Sequence, residues 1–416
     1  MTTTIIIIFC VLLLIAYLFD LTSSKTLIPS VIMLLLTGWI VRQVTNFLDL
    51  KLPNFDAVLP IFGTIGLILI VLEGSLELKL DRSKVGMITK SSLGALFPLV
   101  ILAFVLAYLF QFFSDNSLKD SLANAIPFCV ISSAIAIPSV RDLSSGDRDF
   151  VIYESSFSEI LGVLFFNFIA LNAVIDASSF TSFGMQIVII TAVSFVATIL
   201  LSFMLSKIDH HIKFVPIILL VILIYEVSKV YHLPALVFIL MFGLFLGNVE
   251  GIKRFKWFQR LKLDEFKKEV HRFSELVTEA AFLIKALFFL LFGYLIETSQ
   301  LFNFVTWMWT LLIVGLIFLF RFIQIKLSSL PVKPLFFVAP RGLITILLFL
   351  SIVPAERVAI VNKPLIIQVI LLTTIIMMVG LMLTHKERKR MEEEALMLGE
   401  DEETDELPES AGAKEE

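Results

Sequence analysis

Apolar runs, each closed by a short polar or basic stretch, repeat along the chain until about residue 385. A helix that crosses a bilayer needs roughly 20 mostly apolar residues. By that measure thirteen spans are predicted, near 4–19, 27–44, 56–75, 86–113, 120–143, 149–172, 183–207, 214–231, 234–248, 276–297, 303–327, 334–353 and 364–384. The ninth is short, and the segment after it, 252–273, is polar and basic. The pattern predicts an all-α polytopic membrane protein. Its transmembrane domain covers residues 1–385, and 386–416 form a charged tail.

The loop charges test that count, because cytoplasmic loops carry the excess of Lys and Arg. With the N-terminus outside, 24 of the 33 basic residues fall on the cytoplasmic side and six on the other. One missed or invented helix would scramble that bias. The expected topology is therefore thirteen spans, N-terminus out and C-terminus in. Three basic residues remain, Lys285, Arg321 and Arg341, and they lie inside the tenth, eleventh and twelfth spans. Carboxylates match them: Glu73 in the third span, Glu154 and Glu159 in the sixth, Glu226 in the eighth and Glu279 in the tenth. Intramembrane charges of both signs imply pairing or a water-filled cavity. Glu226 and Glu279 are read as helix-end or locally satisfied groups.

Composition agrees with this reading. The chain is 58% hydrophobic and 17% charged, where a soluble domain sits near half and a quarter. The net charge of −4 mixes a basic body with an acidic tail and points to no partner. From 391 the chain reads MEEEALMLGEDEETDELPESAGAKEE, too poor in apolar residues to fold alone, and disorder is expected there. Cys10 and Cys129 lie in apolar segments and are expected as free thiols. The first run lacks the basic start and cleavage site of a signal peptide and is expected to be retained. Residues 253–272 are basic and amphipathic, which predicts an interfacial helix on anionic lipid. His210 and His211 fall in a predicted cytoplasmic loop. No GxGxxG or P-loop occurs, so no nucleotide-binding domain and no nucleic-acid partner are expected in this chain.

Two spans look interrupted. The fifth contains ISSAIAIPSVRD (131–142), with Ser132, Ser133 and Pro138, and the twelfth contains FVAPRGLITILL (337–348), with Pro340, Arg341 and Gly342. Proline and glycine weaken a helix, and open backbone at that depth survives only buried in protein or lining a cavity. The two spans are seven apart, so the second is inserted upside down relative to the first. Such pairs are the best sequence pointer to a secondary transporter's site. Arg341 and Lys285 are candidates to neutralise the carbonyl ends of the half-helices.

The sixth span carries YESSFSEILGVLFF (153–166). Glu159 and Ser155 share a face, as do Glu154 and Ser158, and the two glutamates point about 140° apart. Glu154 is expected in a buried pair with Arg321. Glu159, left without a permanent partner, is the candidate that binds proton and cation in turn, with neighbouring seryl oxygens as hard ligands.

This pattern resembles the cation:proton antiporter superfamily, in particular the thirteen-helix NhaP-like sodium/proton exchangers, over roughly residues 1–385. Their sixth-helix E-S-x-x-Asn-Asp falls on Glu154-Ser155-Ser156-Phe157-Ser158-Glu159. Arg321, Arg341-Gly342, the segment VLEGSLELKL with Glu73, and FLIKALFFLLFGYLI resemble the eleventh, twelfth, third and tenth helices of the family. The resemblance implies inverted repeats with two crossing discontinuous helices, the NhaA-like antiporter fold. It implies a core of about 86–172 and 303–384, and a scaffold and dimer part of about 4–75 and 183–297. The implied ion- and proton-binding set is Glu159, Ser155, Ser158, Ser132, Ser133 and Glu73, with a monovalent cation held at Glu159. The implied activity is alternating-access exchange of Na⁺ or Li⁺ for H⁺ by a homodimer in the cell membrane, with no cofactor and no enzymatic chemistry. The fifth helix departs from the family's Thr-Asp-Pro and resembles the potassium-efflux branch, which keeps K⁺/H⁺ exchange open as the alternative. An uncoupled cation channel and an organic-anion symporter are the rivals of other classes.

Overall fold

A computed structural model of the protein describes residues 2–26, 28–48, 58–79, 82–141, 143–172, 176–207, 214–231, 233–248, 263–298 and 303–405. These form fourteen α-helices and, among the described residues, no strand. In chain order they are α1 (Thr2–Thr26), α2 (Ser30–Phe47), α3 (Leu59–Glu77), α4 (Val85–Phe113), α5 (Leu118–Cys129), α6 (Ser133–Ser139) and α7 (Ser145–Leu171). There follow α8 (Ala177–Lys207), α9 (Phe214–Val230), α10 (Ala235–Gly247), α11 (Leu263–Tyr294), α12 (Phe304–Leu327), α13 (Leu343–Ser351) and α14 (Lys363–Asp405). Because α5 and α6 are halves of one span, the helices make thirteen spans. Among the described residues, nine segments are long and apolar enough to cross a membrane, counting Leu118–Ser139 as one.

Local chemistry starts several helices where they are needed. Ser117 opens α5 by accepting from the Asp120 amide at 3.1 Å, and Ser144 opens α7 by accepting from Asp147 at 3.2 Å. Asn303 does the same for α12 through Val305 at 2.9 Å. Each cap satisfies an amide that has no partner inside its helix. The outer faces carry Phe195, Val196, Phe304, Met308 and Leu311, all more than half exposed, as lipid-facing positions require.

The helices pack as two groups. Helices α4, α5, α6, α7, α12 and α14 contact one another, and α2, α3, α8, α9, α10 and α11 do likewise. In the second group small residues bring backbones together. A Cβ at Gly247 would sit 2.4 Å from the Leu76 carbonyl oxygen, and one at Gly243 1.8 Å from Ser75 Oγ. Helix α13 touches α3, α5 and α7, and so lies between the groups.

Three sequence expectations are corrected. The fifth-span break lies at residues 130–132, and Pro138 sits inside α6, downstream of it. Residues 263–272 belong to the continuous helix α11 and form no separate interfacial helix; residues 253–262, His210 and His211 lie outside the described residues. Helix α14 continues to Asp405, into the segment expected as an unstructured tail from 386, and residues 406–416 lie outside the described residues.

Candidate functional site at the crossing of two broken helices

The first break frees consecutive backbone amides at membrane depth, and each finds an acceptor on another segment. The Ile131 amide donates to Ser158 Oγ of α7 at 2.9 Å. The Ser132 amide donates to the Pro340 carbonyl at 2.9 Å, which joins the two breaks directly. The Ser133 amide donates to Glu159 Oε1 at 2.8 Å. Buried amides must be paired, so the break exists because α7 and the second broken span supply these acceptors.

The second break spans residues 338–342 and ends where Gly342 opens α13. A Cβ on Gly342 would meet Ser132 Oγ at 2.5 Å and Ser132 Cβ at 2.8 Å, so the crossing admits only glycine there. Arg341 is 3% exposed. Its Nε donates to the Phe128 carbonyl of α5 at 2.5 Å and its Nη1 to the Ala339 carbonyl at 3.1 Å, while Thr373 Oγ1 accepts from its amide at 3.1 Å. A guanidinium thus sits on the carbonyl end of a half-helix, the negative end of its dipole. Ser132 Oγ and Thr345 Oγ1 are buried and have no hydrogen-bond partner among the described residues.

The two sixth-span glutamates, both on α7, have opposite surroundings. Glu154 Oε1 accepts from Arg321 Nη1 and from Gln324 Nε2, both on α12. Arg321 Nε also donates to the Leu335 carbonyl at 3.0 Å, ahead of the second break. Glu159 is 7% exposed and, among the described residues, has no basic partner. Both its oxygens accept from Ser133, Oε2 from the hydroxyl at 2.6 Å. It faces a narrow cleft lined also by Val71, Gly74 and Ser75 of α3, Ser156 and Ile160 of α7, and Leu240 of α10. The carboxylate therefore stands at the seam between the two helix groups.

The other candidates divide. Ser155 donates to the Val151 carbonyl at 2.7 Å, within its own helix. Ser158 is engaged with the break and not with Glu159. Glu73 Oε2 accepts from Lys285 Nζ at 2.9 Å. Lys285 was expected at the half-helix ends, and that expectation is corrected: its acceptor Glu73 lies on the adjacent helix α3, whereas Arg341 reaches the Phe128 carbonyl at the end of α5. Glu226 and Glu279 are exposed. Gln324 and Thr373 were missed; the one signal for Gln324 was a lone amide three residues after Arg321 in an apolar run.

Residues 10–385 match the family described as sodium/hydrogen exchanger, transmembrane. The chain belongs to that family. It is accordingly a multi-pass membrane transporter of the cation/proton antiport class, and not an enzyme. No curated protein sequence matches it significantly. Among solved structures, the sodium proton antiporter MjNhaP1 from Methanocaldococcus jannaschii at pH 8 superposes with a TM-score of 0.65 at 19% identity, covering 91% of this chain and 100% of the other. An electron-microscopy map of the same antiporter gives 0.62 at 18% identity, covering 92% and 95%. At that identity the likeness establishes the fold, which is that of the NhaP antiporters.

Proposed function

We propose that this exchanger trades a monovalent cation, Na⁺ or Li⁺, for H⁺ by alternating access, with Glu159 as the carboxylate that carries each in turn. The observation that carries the reading is the contrast within α7: Glu154 is paired to Arg321, whereas among the described residues Glu159 has only Ser133 as a donor and faces the cleft. A carboxylate held by donors that it can release binds a cation or a proton, never both, and that competition couples the two fluxes. With Glu154 committed to arginine and Glu73 to lysine, one free carboxylate supports one cation for one proton. K⁺/H⁺ exchange is the second reading. Ser132 and Ser133, rather than an acid, stand at the first break, and the unpartnered Ser132 hydroxyl supports a site with one formal charge and neutral oxygens.

The group α4–α7 with α12 and α14, together with α13, serves in this proposal as the moving core, and α1–α3 with α8–α11 as the scaffold. The working form is a homodimer in the cell membrane, N-terminus outside. The test is a fluorescence dequenching assay in vesicles, adding Na⁺, Li⁺ and K⁺ separately from about pH 6 to pH 9, a window wide enough to show proton competition at a carboxylate. Glu159→Gln is expected to abolish exchange while the protein still inserts and elutes as the wild type. Exchange at the wild-type rate by that variant refutes the carrier assignment. Downhill cation flux without opposing protons would instead identify a channel.

A further inference from the structure

Glu159 stands between two clefts along the seam. One continues past Ser156, Gly74 and Ser75 to Leu78, just beyond the end of α3. The other runs the opposite way, past Val163 and Leu164 of α7 to Leu236 and Val237 of α10. Val71, Ile160 and Leu240 border both, although Glu159 is the one carboxylate that does. Alternating access requires the two ends to open in turn, so the closed end needs a hold that can be released.

The backbone supplies one at the Leu78 end. Leu78 leaves α3 in an extended conformation, with φ −73° and ψ 97°, and carbonyls past a helix end must find acceptor duty elsewhere. The Leu78 carbonyl accepts from Asn248 Nδ2 at 2.9 Å, on the residue that closes α10 of the same helix group. The Lys79 carbonyl accepts from the Tyr153 hydroxyl at 2.7 Å, on α7 of the other group. Adjacent carbonyls thus fasten one point of the chain to both sides of the seam. Tyr153 is 5% exposed and Leu78, at the mouth of the cleft, 2%. Asp149, four residues before Tyr153 and so on the same face of α7, pairs with Lys84 at the start of α4. Helix α7 therefore grips the chain both where it leaves α3 and where it enters α4. The Tyr153 bond is neutral, of a kind that contributes modestly, and Lys79 is exposed, so water can take the hydroxyl's place when they part. We infer that Tyr153 is a latch: its hydroxyl on the Lys79 carbonyl holds the Leu78 end of the seam closed, and its release opens Glu159 to that side. This rests on the alternating-access reading proposed above.

The test uses the full chain, purified with Cys10 and Cys129 replaced by alanine, and follows labelling of single cysteines by a charged methanethiosulfonate reagent. Gly74→Cys reports the Leu78 end; a Cβ at Gly74 would meet nothing within 4 Å, so the probe fits. Leu164→Cys reports the opposite end. Tyr153→Phe removes only the hydroxyl. It is expected to speed labelling at Gly74→Cys at least about threefold, the population shift that one lost hydrogen bond gives. Labelling at Leu164→Cys is expected to fall or stay level, since the two ends open in turn. An unchanged rate at Gly74→Cys overturns the inference. A parallel rise at both probes overturns it as well, because it marks general loosening of the fold. The comparison needs no transport, so the two readings fail separately. Exchange surviving Glu159→Gln refutes the carrier reading, whereas an unresponsive Gly74→Cys in a protein that Glu159→Gln silences refutes the latch alone.

Discussion

Two glutamates five positions apart on α7 differ in what a neighbouring helix offers them. Glu154 meets Arg321 and Gln324 of α12, and among the described residues Glu159 accepts from only an amide and a hydroxyl of Ser133. The split was legible in the sequence, since the angular spacing of the two positions forbids one shared partner and the count of basic residues left three inside the spans. The partner of Lys285 was not legible, because nothing along the chain says that α11 packs on α3 with residues 285 and 73 at one level. Arg321 is 2% exposed, so its loss leaves a buried carboxylate uncompensated. Arg321→Met is expected to cost about 3–5 kcal/mol, and replacing both partners by apolar residues much less. Thermal unfolding midpoints in detergent check this; a wild-type midpoint for the single variant would show that the pair carries no stability.

At the scale of elements, the sequence located the right spans and misjudged the first break within its span. Pro138 drew attention because it lacks an amide, yet it lies near the end of the seven-residue helix α6, where few internal bonds are at stake. The actual opening falls where other segments present acceptors to the amides of Ile131, Ser132 and Ser133. Those acceptors come from residues 158, 340 and 159, so they appear only once the fold is formed. The second break was more legible, since Pro340, Arg341 and Gly342 each act at the crossing. Ser158 consequently has a different duty from the ion contact expected of it. Ser158→Ala strands the Ile131 amide, at a cost of about 1–3 kcal/mol for a buried donor left unmade. The expected result is a lower unfolding midpoint and a lower maximal rate with little change in the cation concentration for half-maximal exchange. A weakened apparent affinity at unchanged stability would return Ser158 to the ion.

At the scale of the molecule, thirteen spans and their inverted relation were readable from length, polarity and loop charge, because the bilayer forces helices of one length. The seam between the two helix groups was not, since each helix is apolar on most faces and no periodicity distinguishes the sides. The seam is lined largely by aliphatic side chains, Val71 and Leu240 on one side and Ile160 on the other, and such surfaces lack bonds that would fix their register. A fixed contact across the seam lies toward one end, where the Tyr153 hydroxyl donates to the Lys79 carbonyl at 2.7 Å. If α7 moves against α3 to expose Glu159 alternately, a covalent link across the seam must stop exchange. With Cys10 and Cys129 replaced by alanine, the pair Val71→Cys and Ile160→Cys is expected to form a disulfide under mild oxidation. Exchange should then fall at least about tenfold, a barrier increase of about 1.4 kcal/mol or more, and return on reduction. Each single cysteine variant should keep wild-type exchange under both conditions. Full activity in the cross-linked protein would mean that ions reach Glu159 without relative motion of α3 and α7, and the moving-core proposal would have to be abandoned.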